Sequence, residues 1–256
     1  MKQRVADYIA DFLADNGIRD LFTVTGGGAM HLNDAFGHSK RLNCLYHHHE
    51  QACSMAAEGY ARLSGRPAAV CVTTGPGGTN AITGVLGAWL DSIPMMVISG
   101  QVKYETTVRS TGLPLRQLGD QEFDIVTTVS NMTKYAVMVT EPETIRYHLE
   151  RALWLATHGR QGPVWLDIPI NVQAAIIETD ALCGYDPSED ANELPEPVGK
   201  ETARRVIELL RGARRPVIMA GAGIRLSGAH DDFIRLIDLL RVPVCTPWNS
   251  HDNIWD

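Results

Sequence analysis

Between Ala68 and Thr74 the chain carries no charge and no turn residue over a full strand length, and it breaks at Gly75-Pro76-Gly77-Gly78. A strand without a polar face is buried on both sides, as in parallel sheets covered by helices. The glycines and proline cannot continue the ladder, so the chain must turn there. Thr79 to Leu90 then reads as a helix. Upstream, Leu42 to His48 reads as a strand running into a turn, followed by a helix from Glu50 to Leu63 on which Ala52, Ala56 and Gly59 share one face. In open sheets of this kind ligands sit beyond the carboxyl ends of the strands. The junctions at Glu50 and Gly75 are therefore expected to face one crevice, where a cofactor would bind.

The same alternation extends in both directions. Val5, Ile9, Phe12 and Leu13 recur at helical spacing and Gly17 follows, which predicts a helix over 3–16. A short strand, Leu21 to Val24, enters Thr25-Gly26-Gly27-Gly28, and later strands are expected at Met95 to Ser99 and Val164 to Ile168, with a helix at Glu143 to His158. The fold class is α/β, a mostly parallel sheet with helices on both faces. This first domain is assigned residues 1–180, its last element closing near Ala175. Residues 181–199 are assigned to an acidic, Pro-rich linker, because Asp186 to Gly199 lacks the apolar residues that build a core. Residues 200–256 read as a truncated central Rossmann-like domain: a helix over 201–211, a strand over 216–220, Gly221-Ala222-Gly223, a helix over 229–240 and a strand over 242–246. The end at Asn253 to Asp256 leaves that sheet unfinished, so a fragment is expected.

Composition removes several function classes. The 256 residues are 45% hydrophobic with a formal charge of −7, and their densest basic stretch, Arg211 to Arg215, is too short for a phosphate-binding stripe. Nucleic acid and anionic membranes are not expected as partners. No stretch is long enough to span a bilayer, and the acidic start lacks the pattern of a secretory signal, which points to the cytoplasm. Cys44, Cys53, Cys71, Cys183 and Cys245 show no C-x-x-C spacing and read as reduced core thiols. His47-His48-His49 invites a metal reading, yet adjacent strand residues alternate faces and do not all ligate one ion.

Taken in order, His49-Glu50-Gln51, Ala57-Glu58-Gly59-Tyr60-Ala61-Arg62, Gly75-Pro76-Gly77-Gly78-Thr79-Asn80, Asp91-Ser92-Ile93-Pro94 and Gly162-Pro163-Val164 resemble the thiamine diphosphate enzymes of the acetolactate synthase group. The resemblance implies a pyrimidine-binding domain followed by the start of a central domain. It implies thiamine diphosphate as cofactor, with FAD retained in many members. The activity implied is decarboxylation of pyruvate and transfer of its two-carbon unit to a second 2-keto acid. In that family Mg²⁺ and the diphosphate are held by a Gly-Asp-Gly segment and paired asparagines. Neither occurs in these 256 residues, so no metal site is assigned and the chain alone is expected to be inactive. A homodimer, or a complementing chain carrying the diphosphate-binding domain, is implied.

The resemblance assigns roles residue by residue. Glu50 matches the glutamate that hydrogen-bonds the aminopyrimidine and promotes its imino form. On spacing alone the plainer reading is a helix-start carboxylate stabilised by the dipole, but the motif set as a whole favours the first. Activation calls for a carboxyl that shares a proton, so apolar burial is expected around it. Gly26, Gly27, Gly75, Pro76, Gly77 and Asn80 would shape the pyrimidine pocket. Thr25 replaces the family's usual proline and, with Gln121, would lie on the substrate side. Asp120 stands where an aromatic is usual. A carboxylate there would disfavour an anionic substrate at close range, so a sister carboligase or decarboxylase rivals acetolactate synthase, unless Asp120 is a solvated loop residue. A non-catalytic cofactor-binding or interface module is the alternative from another class. A nicotinamide-dependent oxidoreductase would need a complete Gly-x-Gly-x-x-Gly turn, which Gly221 to Gly223 does not provide.

Overall fold

Six strands form one parallel sheet in the order β3-β2-β4-β5-β7-β6: β2 (Asp20–Thr23), β3 (Asn43–Tyr46), β4 (Ala68–Val72), β5 (Met95–Gln101), β6 (Tyr135–Met138) and β7 (Pro163–Pro169). The computed structural model describes residues 1–254, the side chain of Glu193 excepted, so Trp255 and Asp256 of the expected unfinished end lie outside the described residues. Every residue of β4, β5 and β7 is buried, which is why the run at Ala68 has no polar alternation.

Helices cover the sheet: α1 (Val5–Asp15), α2 (Met30–His38), α3 (Glu50–Ser64), α4 (Pro76–Asp91), α5 (Val108–Thr111), α6 (Ile125–Val129), α7 (Ile145–Thr157) and α8 (Ile170–Ala174). The cluster built on Ile9, Leu13, Phe36, Met96, Ile98, Leu149 and Leu166 joins α1, α2 and α7 to the strands. Each large side chain fully buried in it contributes about 1.5–3 kcal/mol of burial free energy.

The predicted opening helix starts two residues later, at Val5. Lys2–Arg4 instead form β1, antiparallel to β8 (Ile176–Glu178), because backbone pairing satisfies donors that a helix start leaves open. The helix expected from Thr79 begins at Pro76. A proline is tolerated in the first turn, where its missing N–H has no partner to lose, so the Gly-Pro-Gly-Gly segment opens the helix instead of preceding it. The predicted small face of α3 is its open one: Ala52 and Gly59 are exposed, while Cys53, Ser54, Ala57 and Ala61 are buried. Cys53 and Cys71 are core thiols as expected, but Cys183 and Cys245 are exposed; both lie outside the main sheet, where little packs over them.

The chain divides into units Met1–Glu193 and Leu194–Asp256. The first runs beyond the predicted boundary because Tyr185 and Asp190 are tied back to α7: Arg151 grips Asp190 at 2.8 and 2.9 Å, and Tyr185 Oη donates to the same carboxylate at 2.9 Å. The second contains α9 (Lys200–Gly212), β9 (Ile218–Met219), α10 (Gly223–Leu226), α11 (His230–Leu240) and β10 (Val244–Cys245), with β9 and β10 parallel.

Candidate active site

β2, β3, β4 and β5 run parallel, so the segments leaving them emerge at one edge of the sheet. Those segments carry every site residue that the sequence singled out. β3 delivers Glu50. His49 caps α3 in an extended conformation, its Nδ1 accepting the Gln51 amide at 3.1 Å, so the helix starts directly at Glu50. Glu50 Oε2 accepts a hydrogen bond from Asn80 Nδ2 at 3.0 Å. Oε1 faces the turn after β4, 3.7 Å from where a Cβ on Gly77 would stand. The apolar burial expected around this carboxyl is incomplete, since Glu50 is half-buried in the chain itself.

The turn after β4 requires glycine. Gly75 sits at φ 56 and ψ −111, a conformation few side chains adopt, and a Cβ there would lie 2.1 Å from the Gln121 carbonyl oxygen. A Cβ on Gly77 would come within 2.7 Å of Thr73 Cγ2, and one on Gly26 within 2.5 Å of the Thr73 side chain. Thr73 is thus clasped between two glycine turns from different strands. The Gly28 amide donates to its Oγ1 at 3.1 Å, locking the loop after β2 against β4. Gly27 and Thr25 are exposed, with open space above Gly27.

Gln121 is exposed and holds a left-handed φ of 59. Its carbonyl rests on Gly75, so the substrate-side turn and the glycine turn touch through backbone. The neighbouring Glu122 carboxylate accepts the amides of Val108, Leu118 and Gly119 at 2.6, 3.0 and 3.1 Å and folds the long segment between β5 and α6 onto itself. Asp120 is exposed.

Sequence reasoning missed the supporting layer. Gln173 is fully buried and donates through Nε2 to the Gly28 and Ile168 carbonyls, each at 2.7 Å, bracing the glycine loop from α8. Asp167, fully buried on β7, accepts Ser99 Oγ at 2.6 Å and Gln101 Nε2 at 3.1 Å. Burial pushes the Asp167 carboxyl up to about 7, against the downward pull of those two hydrogen bonds. The available signal was a lone carboxylate inside the otherwise apolar stretch Val164 to Pro169.

Other motifs that carry the resemblance stay away from this edge. Arg62 bonds Glu58 and reaches Asp91 at 2.5 Å, while Arg160 Nε donates to Ser92 Oγ at 2.8 Å, all at the opposite end of the strands. His47 packs on the Phe22 ring and His48 is exposed, so the triplet is dispersed. Among the described residues no group of three or more His, Cys, Asp or Glu is placed to hold a metal ion, and no helix is long and apolar enough to cross a membrane. In the second unit, open space lies over both Gly221 and Gly223, and Asn253 Nδ2 donates to the Gly221 carbonyl at 3.0 Å.

Two family models match the chain: the thiamine pyrophosphate enzyme N-terminal TPP binding domain over residues 3–128, and the thiamine pyrophosphate enzyme central domain over residues 203–255. A probable acetolactate synthase large subunit of Methanocaldococcus jannaschii is 34% identical over 94% of this chain and 39% of its own length. The chloroplastic acetolactate synthase of Arabidopsis thaliana is 32% identical over 94% of this chain and 34% of its own. The mitochondrial acetolactate synthase catalytic subunit of Aspergillus candidus is 36% identical over 92% of this chain and 34% of its own. The chain thus spans between 34% and 39% of the length of these relatives.

Proposed function

The chain belongs to the thiamine pyrophosphate enzymes, and we propose that it supplies the aminopyrimidine half of an acetolactate synthase-like site that decarboxylates a 2-keto acid and transfers the remaining unit to a second one. The observation that carries this reading is Glu50, with Oε2 tied to Asn80 at 3.0 Å and Oε1 directed at a glycine turn that presents no side chain. These residues fit a flat aminopyrimidine: a carboxyl for its ring nitrogen, beside backbone that only glycine allows. When bound, thiamine diphosphate supplies the nucleophile and the electron sink for loss of carbon dioxide. Glu50 Oε1 would hydrogen-bond the ring nitrogen. Asn80 orients that carboxyl, and Gly26, Gly75 and Gly77 keep the loops close enough to shape the pocket. Pro76 starts α4, and with Gly27 it stands exposed at the edge of the pocket. Thr25 and Gln121 line the substrate side. The exposure of Asp120 supports its reading as a solvated loop residue.

The diphosphate and its Mg²⁺ are assigned to a domain or chain that pairs with this one. The open face of α3 and α4 supports pairing: Ala52 and Gly59 leave it shallow, and Met55, Leu63, Leu86 and Leu90 stand exposed on these helices. Covering such a face desolvates Glu50 further and supplies the missing burial. No step is assigned to a flavin.

Calorimetric titration of thiamine diphosphate with Mg²⁺, into the chain alone and into its mixture with a polypeptide carrying the Gly-Asp-Gly half, tests this reading. Heat is expected only in the mixture; Glu50→Gln removes it and Asn80→Ala weakens the binding about tenfold. Binding by the chain alone would put the diphosphate site within these residues. Silence in both would leave an interface module without cofactor chemistry.

A further inference from the structure

Behind the substrate-side turn lies a chain of buried hydrogen bonds with no part in the reading above. Trp165 Nε1 donates to Ser99 Oγ at 2.8 Å, and Ser99 donates to Asp167 Oδ1 at 2.6 Å. Gln101 Nε2 spends one proton on Asp167 Oδ2 and the other on the Phe123 carbonyl, both at 3.1 Å. Gln101 Oε1 accepts the Val102 amide at 3.0 Å. Phe123 follows Gln121 and Glu122, and its carbonyl also accepts the Ile125 amide at 2.9 Å. Every donor in this chain has an acceptor, and Asp167 acts only as an acceptor, the role of an ionised carboxylate.

We propose that Asp167 is a positioning residue whose carboxylate, acting through Gln101, holds the Phe123 carbonyl and with it the turn that rests Gln121 on Gly75. The substrate-side role of Gln121 belongs to the proposed function; the positioning itself does not depend on it.

One proton on Oδ2, the oxygen that faces Gln101, is enough to break the arrangement. There it would meet the Gln101 N–H. Gln101 accepts it only by turning its amide over, which withdraws the donor from Phe123 and sets N–H against the Val102 N–H. A donor left unpaired in the interior is costlier than the bond it replaces. Two charged groups bear on this carboxyl: Asp124, just before α6, favours protonation, and Arg109 on α5 opposes it. With burial dominating and the carboxyl pushed up to about 7, the ionised form that holds the turn prevails above that pH and the protonated form below it.

The test is an NMR titration of the full chain without cofactor, so it stands or falls apart from the proposed function. The Trp165 indole N–H and the Val102 and Ile125 amides are followed from about pH 8.5 to about pH 5.5, a window centred near the carboxyl's titration. All three are expected to shift with one midpoint near 7, and protection of Val102 and Ile125 to fall about tenfold at the acid end, the equilibrium worth of one hydrogen bond. Asp167→Asn is expected to abolish the transition. Should that variant not fold, Gln101→Ala serves: the indole still titrates while Ile125 no longer follows. Absence of any transition in the unaltered chain would overturn the proposal. So would an indole that titrates while Val102 and Ile125 stay still, or a transition that survives in folded Asp167→Asn.

Discussion

At the carboxyl edge of the sheet, the Thr73 side chain is clasped between Gly26 and Gly77, and at Gly75 backbone meets the Gln121 carbonyl with no room for a side chain. At the amino edge of the same strands, α3 and α4 are tied by long side chains, Arg62 bridging Glu58 and Asp91, and Arg160 reaching Ser92. Both edges carry motifs of the family. A backbone-built edge leaves an open surface with few polar side chains, Glu50 and Asn80 paired among them, which suits binding. An edge built of ion pairs fills its own space and closes the helix pair. Motif identity therefore does not separate site from scaffold; the end of the strand does.

Substitutions at the two edges put this contrast at risk. Gly75→Ala should do most damage, costing about 3 kcal/mol from backbone strain and overlap with the Gln121 carbonyl. A urea titration within about 1 kcal/mol of the parent would show that the turn relaxes freely and that the carboxyl edge is not backbone-limited. Arg62→Ala should cost about 2 kcal/mol by stranding two partly buried carboxylates, with cofactor binding in the complemented complex unchanged. If binding fell as far as stability, the amino edge would belong to the site after all. Asn80→Ala sharpens the carboxyl edge: removal of the bond that orients Glu50 should weaken cofactor binding about tenfold in calorimetry while leaving the thermal midpoint unmoved, since Asn80 is exposed. Smallest of all is Gly162→Ala, where a Cβ would stand 3.4 Å from Lys134 Cγ and stability should change by about 1 kcal/mol or less. A larger loss in a denaturation curve would show the amino edge to be as tightly built as the other.

Much of this was legible beforehand. The uncharged run at Ala68, the break at Gly75 and the start at Glu50 mark junctions that any parallel sheet must place at one edge. The pairing of Asn80 with Glu50 was not legible, because residues 30 apart meet only once α3 and α4 lie side by side. Asn80 was expected to help shape the pyrimidine pocket; the structure adds its hydrogen bond to the Glu50 carboxylate. Gln173 and Gln101 were missed for a related reason: a glutamine carries no periodic signal, and its importance rests on which carbonyls fold up around it.

The α/β alternation and the glycine positions were set by the order of residues alone, since they depend on local backbone freedom and on apolar runs of strand length. Tertiary structure decided which motifs share an edge, how buried Glu50 is, and that Asp167 on β7 stands within a donor network shared with β5. Those depend on long-range contacts between strands and helices far apart in sequence, and no local pattern encodes the desolvation that packing imposes on a carboxyl.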